Sequence, residues 1–130
     1  MSKIKVLLVD DEPDLLEVLG LRIEGWGYEL LKAQSGKEAI EAVKNKFPDI
    51  VILDYMMPEM NGVQTLREIR KISSKIQVVM FTAHADKQII AETEKLGVYA
   101  FIPKLSVYQD ARATLKSVLA TISKILDDKQ

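Results

Sequence analysis

The 130-residue sequence predicts a single α/β domain built on a parallel sheet with helices on both faces. Three observations carry that prediction. Short apolar runs rich in β-branched residues alternate along the whole chain with segments of helical period. The runs are apolar at nearly every position, as strands covered on both faces must be. Two of them end in carboxylates: Asp10 and Asp11 close Lys5-Val-Leu-Leu-Val9, and Asp54 closes Ile50-Val-Ile-Leu53.

The elements follow in order. A strand over Ile4–Val9 leads to a helix over Pro13–Trp26, whose Leu15, Leu19, Ile23 and Trp26 recur at helical spacing. A strand over Tyr28–Ala33 precedes a helix over Ser35–Lys46, which opens on the capping-box pair Ser35 and Glu38 and buries Ala39, Ile40 and Val43. Ile50–Leu53 is the third strand, and Gly62–Ile72 its helix, with Val63, Leu66 and Ile69 inward. Ile76–Phe81 is followed by a helix over Asp86–Leu96 carrying Ile89, Ile90 and Leu96. Tyr99–Ile102 is the last strand. The last helix, Ser106–Leu126, opens on a second capping pair, Ser106 and Gln109, and runs Val107, Ala111, Leu115, Val118, Ile122, Ile125. Leu119 and Leu126 widen that stripe, through core contact or through a dimer or partner face. Crossovers are expected to be right-handed. There is no repeat and no linker, so residues 1–130 read as one domain with its core over about 3–126 and a polar tail.

Composition narrows the function. A net charge of −1 gives no reason to expect direct nucleic-acid binding. The absence of cysteine excludes disulfides and thiolate metal sites. No apolar run approaches the ~20 residues of a membrane span, and the N-terminus lacks a signal-peptide core, so a soluble cytoplasmic protein is expected.

Ligands of open α/β sheets bind beyond the carboxyl ends of the strands. The residues there are Asp10, Asp11, Asp54, Thr82 and Lys104. Each has an ordinary reading. Asp10 and Asp11 suit a helix N-terminus, Asp54 suits a turn, and a lone lysine is usually solvated. Their combination is harder to explain that way, because buried anions are costly unless paired or metal-bound. If the first and third strands are neighbours, the three carboxylates meet in an oxygen-rich pocket suited to a hard divalent cation. With that cation and Lys104 offsetting repulsion, Asp54 is an ionised, positioned carboxylate, able to act as a nucleophile in aspartyl-phosphate formation. Thr82 can donate a hydrogen bond to a phosphoryl oxygen.

The segments VLLVDDEPD, DIVILDYMMPEMNG, VVMFTAHAD and GVYAFIPKL resemble the response-regulator receiver domain, from about Lys3 to Leu126. The resemblance implies a flavodoxin-like (βα)5 doubly wound sheet in the order 2-1-3-4-5. It implies that Asp54 accepts a phosphoryl group from a sensor histidine kinase or phosphotransfer protein. Asp11, Asp54 and the backbone carbonyl of Met56 would ligate Mg²⁺, with Mn²⁺ as a substitute and Asp10 acting largely through water. Lys104 would pair with the phosphoryl group. Thr82 and Phe101 would move together as the switch, read out by the fourth helix, fifth strand and fifth helix. Met56 and His84 are expected to tune dephosphorylation, although His84 also reads as an exposed loop residue. The partner would be a downstream protein target or an output domain beyond this segment, and the domain a monomer or a phosphorylation-promoted dimer. It would not be an enzyme acting on a separate metabolite. A phosphorelay intermediate, or a receiver taken from a longer regulator or hybrid kinase, is the alternative.

The family usually carries proline just after the lysine. Here Pro103 precedes Lys104 and Leu105 follows it, and a cis bond at that point would cost about 3 kcal/mol. Pro103 is tolerable if the fifth strand lies at the sheet edge. Met56, Met57 and Met60 form either a contact patch or a loop packed over the site. Three other classes fit less well. A flavin carrier lacks its phosphate loop. An aspartate-nucleophile phosphatase lacks a second acid two residues after Asp54. A degenerate scaffold receiver would not keep every key residue type.

Overall fold

The computed structural model describes residues 3–104 and 108–128. The chain alternates β1 (Lys5–Val9), α1 (Pro13–Gly25), β2 (Glu29–Ala33), α2 (Gly36–Lys46), β3 (Ile50–Leu53), α3 (Gly62–Ile72), β4 (Gln77–Thr82), α4 (Lys87–Lys95), β5 (Ala100–Pro103) and α5 (Tyr108–Asp128). All pairings are parallel, and the sheet order is β2-β1-β3-β4-β5. This is the doubly wound flavodoxin-like arrangement the resemblance implied.

Period-two alternation sorts the strand residues into two cores. Val6, Leu8, Ile50, Ile52, Val79, Phe81 and Ile102 face α1 and α5, where Leu16, Leu19, Ile23, Leu115, Leu119 and Ile122 cover them. Leu7, Val9, Val51, Leu53, Val78 and Met80 face the other side, under Ala39, Val43, Leu66 and Ile69 of α2 and α3. Leu119 is fully buried and Leu126 packs against the first core, so the wide stripe of α5 is accounted for by packing. Met57 is buried in the second core while Met56 is largely exposed, so the loop methionines do not form one patch.

Side-chain caps start α2, α3 and α4. Ser35 Oγ accepts from the Glu38 N–H, but the Glu38 carboxylate reaches the N–H of Gln34, one residue before the cap. A full capping box forms instead at Asn61 and Gln64. Asp86 caps α4 by accepting from Ile89 N–H. The Ser106–Gln109 pair and the Lys104–Leu105 peptide lie outside the described residues. Pro103 does lie on an edge strand, where its missing N–H breaks no ladder.

Arg70 joins three elements at the end of the sheet opposite the acidic rim. Its guanidinium donates to the carbonyls of Ile76 (2.7 Å), Leu96 (2.7 Å) and Gly97 (2.9 Å), tying α3 to the start of β4 and to the turn after α4. A lysine has no comparable fork. Arg70→Met keeps the aliphatic stem and strands those carbonyls, so thermal unfolding followed by circular dichroism should show a loss on the order of 2 kcal/mol. Unchanged stability would mean that water replaces the guanidinium at no cost.

Candidate functional site

Sheet register builds the site. Val9 pairs with Leu53 and Leu53 with Met80, so the chain leaves β1, β3 and β4 at one level. The backbone continues that alignment one step further: Asp10 N–H donates to Ala33 O and Asp54 N–H to Val9 O, both at 3.1 Å. Asp10 and Asp54 are therefore held as backbone extensions of the sheet. They are 1% and 6% exposed, whereas Asp11 faces solvent. Carboxylate oxygens of all three lie within 4.8 Å of one another.

Each buried carboxylate is partly satisfied. Asp10 Oδ1 accepts from Glu12 N–H (3.0 Å), which turns the chain into α1, while Asp10 Oδ2 meets Lys104 Nζ at 2.5 Å. Asp54 Oδ1 accepts from Tyr55 N–H (2.9 Å), and Asp54 Oδ2 lies 3.9 Å from the same ammonium. Lys104 is placed by its own N–H, which donates to Thr82 O across the β4–β5 edge, and its ammonium sits 5.5 Å above the Phe81 ring.

Burial pushes the Asp54 carboxyl above its usual value. A hydrogen bond from the Thr82 side chain and the Lys104 charge pull it back, the Asp10 charge adds to the rise, and the Tyr55 N–H lowers it again.

The other expected residues fall as follows. Thr82 is fully buried, and its hydroxyl oxygen accepts from His84 N–H at 3.2 Å. Met56, Ala83 and His84 line a cavity of about 210 Å³ with Asp11, Asp54 and Lys104. Phe101 stands beside Met80 on β5, half-buried against the second core and away from the carboxylates. Lys104 was expected to face a phosphoryl group; here it is closest to Asp10, the most buried acid.

Three contributors carried no sequence signal of their own. Phe81, under Lys104, is one more apolar residue of a strand. Glu12 supplies a backbone N–H. Gly62 permits close approach: its N–H donates to Tyr55 O (2.7 Å), and a Cβ there would strike Asp54 O and lie 2.8 Å from Tyr55 Cα. Its place beside Asn61, an N-cap residue type, was the available hint.

The donor set is three carboxylates beside an open cavity, with no soft ligand in the cluster. That chemistry fits a hard, oxygen-seeking divalent cation.

The model of the response regulator receiver domain matches residues 6–116, which include all of these strand ends. This chain belongs to that family. It is 34% identical over 119 residues to the transcriptional regulatory protein ZraR of Escherichia coli K12, covering 92% of this chain but only 27% of ZraR. A CheY-like receiver domain protein from Methanospirillum hungatei superposes with a TM-score of 0.84 at 25% identity, covering 95% of this chain and 98% of that one. A CheX–CheY–BeF₃–Mg²⁺ complex from Borrelia burgdorferi gives 0.82 at 28% identity, covering 92% and 88%. The receiver domain described here is thus similar over nearly its whole length to domains that form one part of longer regulators. Among the described residues, no helix is long and apolar enough to cross a membrane.

The electrostatics yield a sign. A carboxyl raised in the folded state favours folding most below its unfolded value, and the advantage is lost as pH rises through its folded value. At about pH 7, ionised Asp54 is therefore a cost to the metal-free domain, and Asp54→Asn should raise Tm by roughly 3 °C or more. The gain should shrink on acidification, and Mg²⁺ should stabilise the wild type more than the variant. Calorimetry across pH, with and without Mg²⁺, checks this.

Proposed function

We propose that this receiver domain is a phosphorylation-operated switch. Asp54 accepts a phosphoryl group from the phosphohistidine of a sensor kinase or phosphotransfer protein. One Asp54 carboxylate oxygen attacks phosphorus, the phosphorus–nitrogen bond breaks, and the imidazole leaves with the electron pair. The observation that carries the reading is the position of Asp54: buried, fixed through Oδ1 by the Tyr55 N–H, with Oδ2 facing Lys104 and an open cavity.

The domain's own groups have separable roles in this reading. Asp10, Asp11, Asp54 and the carbonyl of Met56 hold Mg²⁺, or Mn²⁺ in its place. The ion, when bound, neutralises the charge developing on the transferred phosphoryl oxygens. Lys104 is drawn from Asp10 towards the new phosphoryl oxygens, a movement its two unequal carboxylate distances support. Thr82 turns its hydroxyl to the phosphoryl group, and Phe101 follows into the space it vacates. Moving such an equilibrium from mostly off to mostly on needs roughly 5 kcal/mol of differential stabilisation, within reach of one covalent dianion. The response appears on α4, β5 and α5. α4 suits that role because, of its own residues, only Ile89 and Thr93 are buried. Met56 and His84, at the mouth of the cavity, control water approach and so the lifetime of the phosphate. The domain is a switch rather than an enzyme with a separate substrate, working in the cytoplasm through an output domain or a bound protein target. The partial coverage of ZraR favours an output domain.

Incubation with acetyl phosphate and Mg²⁺ should add one phosphoryl group by intact mass, abolished by EDTA and in Asp54→Asn. No adduct on the wild type, or an adduct that survives in Asp54→Asn, overturns the reading. His84→Ala and Met56→Ala should each change phosphate lifetime by roughly 3-fold or more, a barrier change of at least about 0.6 kcal/mol. Equal lifetimes remove the two residues from that role.

A further inference from the structure

Thr82 sits in a chain of contacts that runs around the cavity and closes on the residue beside Asp54. Thr82 is fully buried at the end of β4. Its hydroxyl oxygen accepts from the backbone N–H of His84 at 3.2 Å. The His84 ring rests on Tyr55, with centroids 6.2 Å apart and planes tilted by 53°. Tyr55 in turn packs on the second core and gives its N–H to Asp54. Between Thr82 and the Asp86 cap of α4, the turn is exposed at Ala83, His84 and Ala85. Among the described residues, the Tyr55 ring is what ties the His84 side chain of that turn to the loop after β3.

We propose that Tyr55 is a positioning residue: its ring holds His84, and through the His84 N–H it fixes the Thr82 hydroxyl, favouring the unphosphorylated arrangement. The proposal rests on the switch reading above. The geometry gives it a direction. A hydroxyl oxygen that accepts from His84 N–H is tied to the backbone of that turn. Turning Thr82 towards a phosphoryl group on Asp54 requires the His84 N–H to let go or to travel with it, and the Tyr55 contact resists that travel. Ring contacts of this type shift an equilibrium by roughly 2- to 10-fold. The latch is weak enough for a phosphoryl group to override and strong enough to limit activation without one.

The test is titration of the full chain with beryllium trifluoride and Mg²⁺, followed by amide NMR. Tyr55→Leu and His84→Ala should each tighten apparent binding by roughly 2- to 10-fold. Tyr55→Phe, which keeps the ring, should stay at the wild-type value. The double variant should gain no more than either single one, since both remove the same contact. Exposed His84 tolerates truncation, so the cycle remains readable if Tyr55→Leu loses stability. Additive effects, weaker binding in His84→Ala, or a Tyr55→Phe that behaves like His84→Ala each overturn the latch while leaving the switch standing. A wild type that binds no beryllium trifluoride with Mg²⁺ overturns the switch reading and the latch with it.

Discussion

Two carboxylates removed from water and facing one ammonium form the constraint on which the rest of this structure depends. Asp10 and Asp54 lie at the rim of a parallel sheet, almost without solvent, and exposed Asp11 brings a third negative charge to the same opening. Lys104 bonds closely to one of them and only loosely to the other. Such an arrangement is expensive for a domain whose total stability is about 5–15 kcal/mol. It is also responsive, because any added positive charge, or any redistribution of the ammonium, changes the balance of the whole cluster.

The scaffold is organised to hold that rim rigidly and leave its surroundings adjustable. β1 and β3 are covered on both faces, and their register sets Asp10 and Asp54 side by side through backbone bonds, with little freedom for either. The edge beyond β4 is looser. α4 buries little, its amino end hangs on the Asp86 cap, and its carboxyl end is gripped by Arg70. A change beginning at Thr82 therefore has a fixed side to push against and a compliant side to move.

Fold and site differed in how they could be read from residues. Strand positions were legible because doubly covered strands must be apolar throughout, and their ends shifted by only a residue or so, as at Thr82 and Pro103. Helix starts were less so. Ser35 and Glu38 suggested a reciprocal box, yet Glu38 bonds to Gln34, while Asn61 and Gln64 form the reciprocal box. The loop methionines looked alike in sequence and differ in burial, because only Met57 packs into the second core.

The sequence by itself determined the layer architecture, the identity of the acidic, hydroxyl and basic strand-end residues, and the hard-cation character of their donors. These follow from local pattern and from side-chain chemistry, which every residue carries with it. Tertiary structure alone decided which acid Lys104 prefers, that Phe81 lies beneath its ammonium, that Gly62 must approach Asp54, and that the Tyr55 ring meets His84. Those are distances between parts of the chain remote in sequence. Only register and packing of the complete sheet set them.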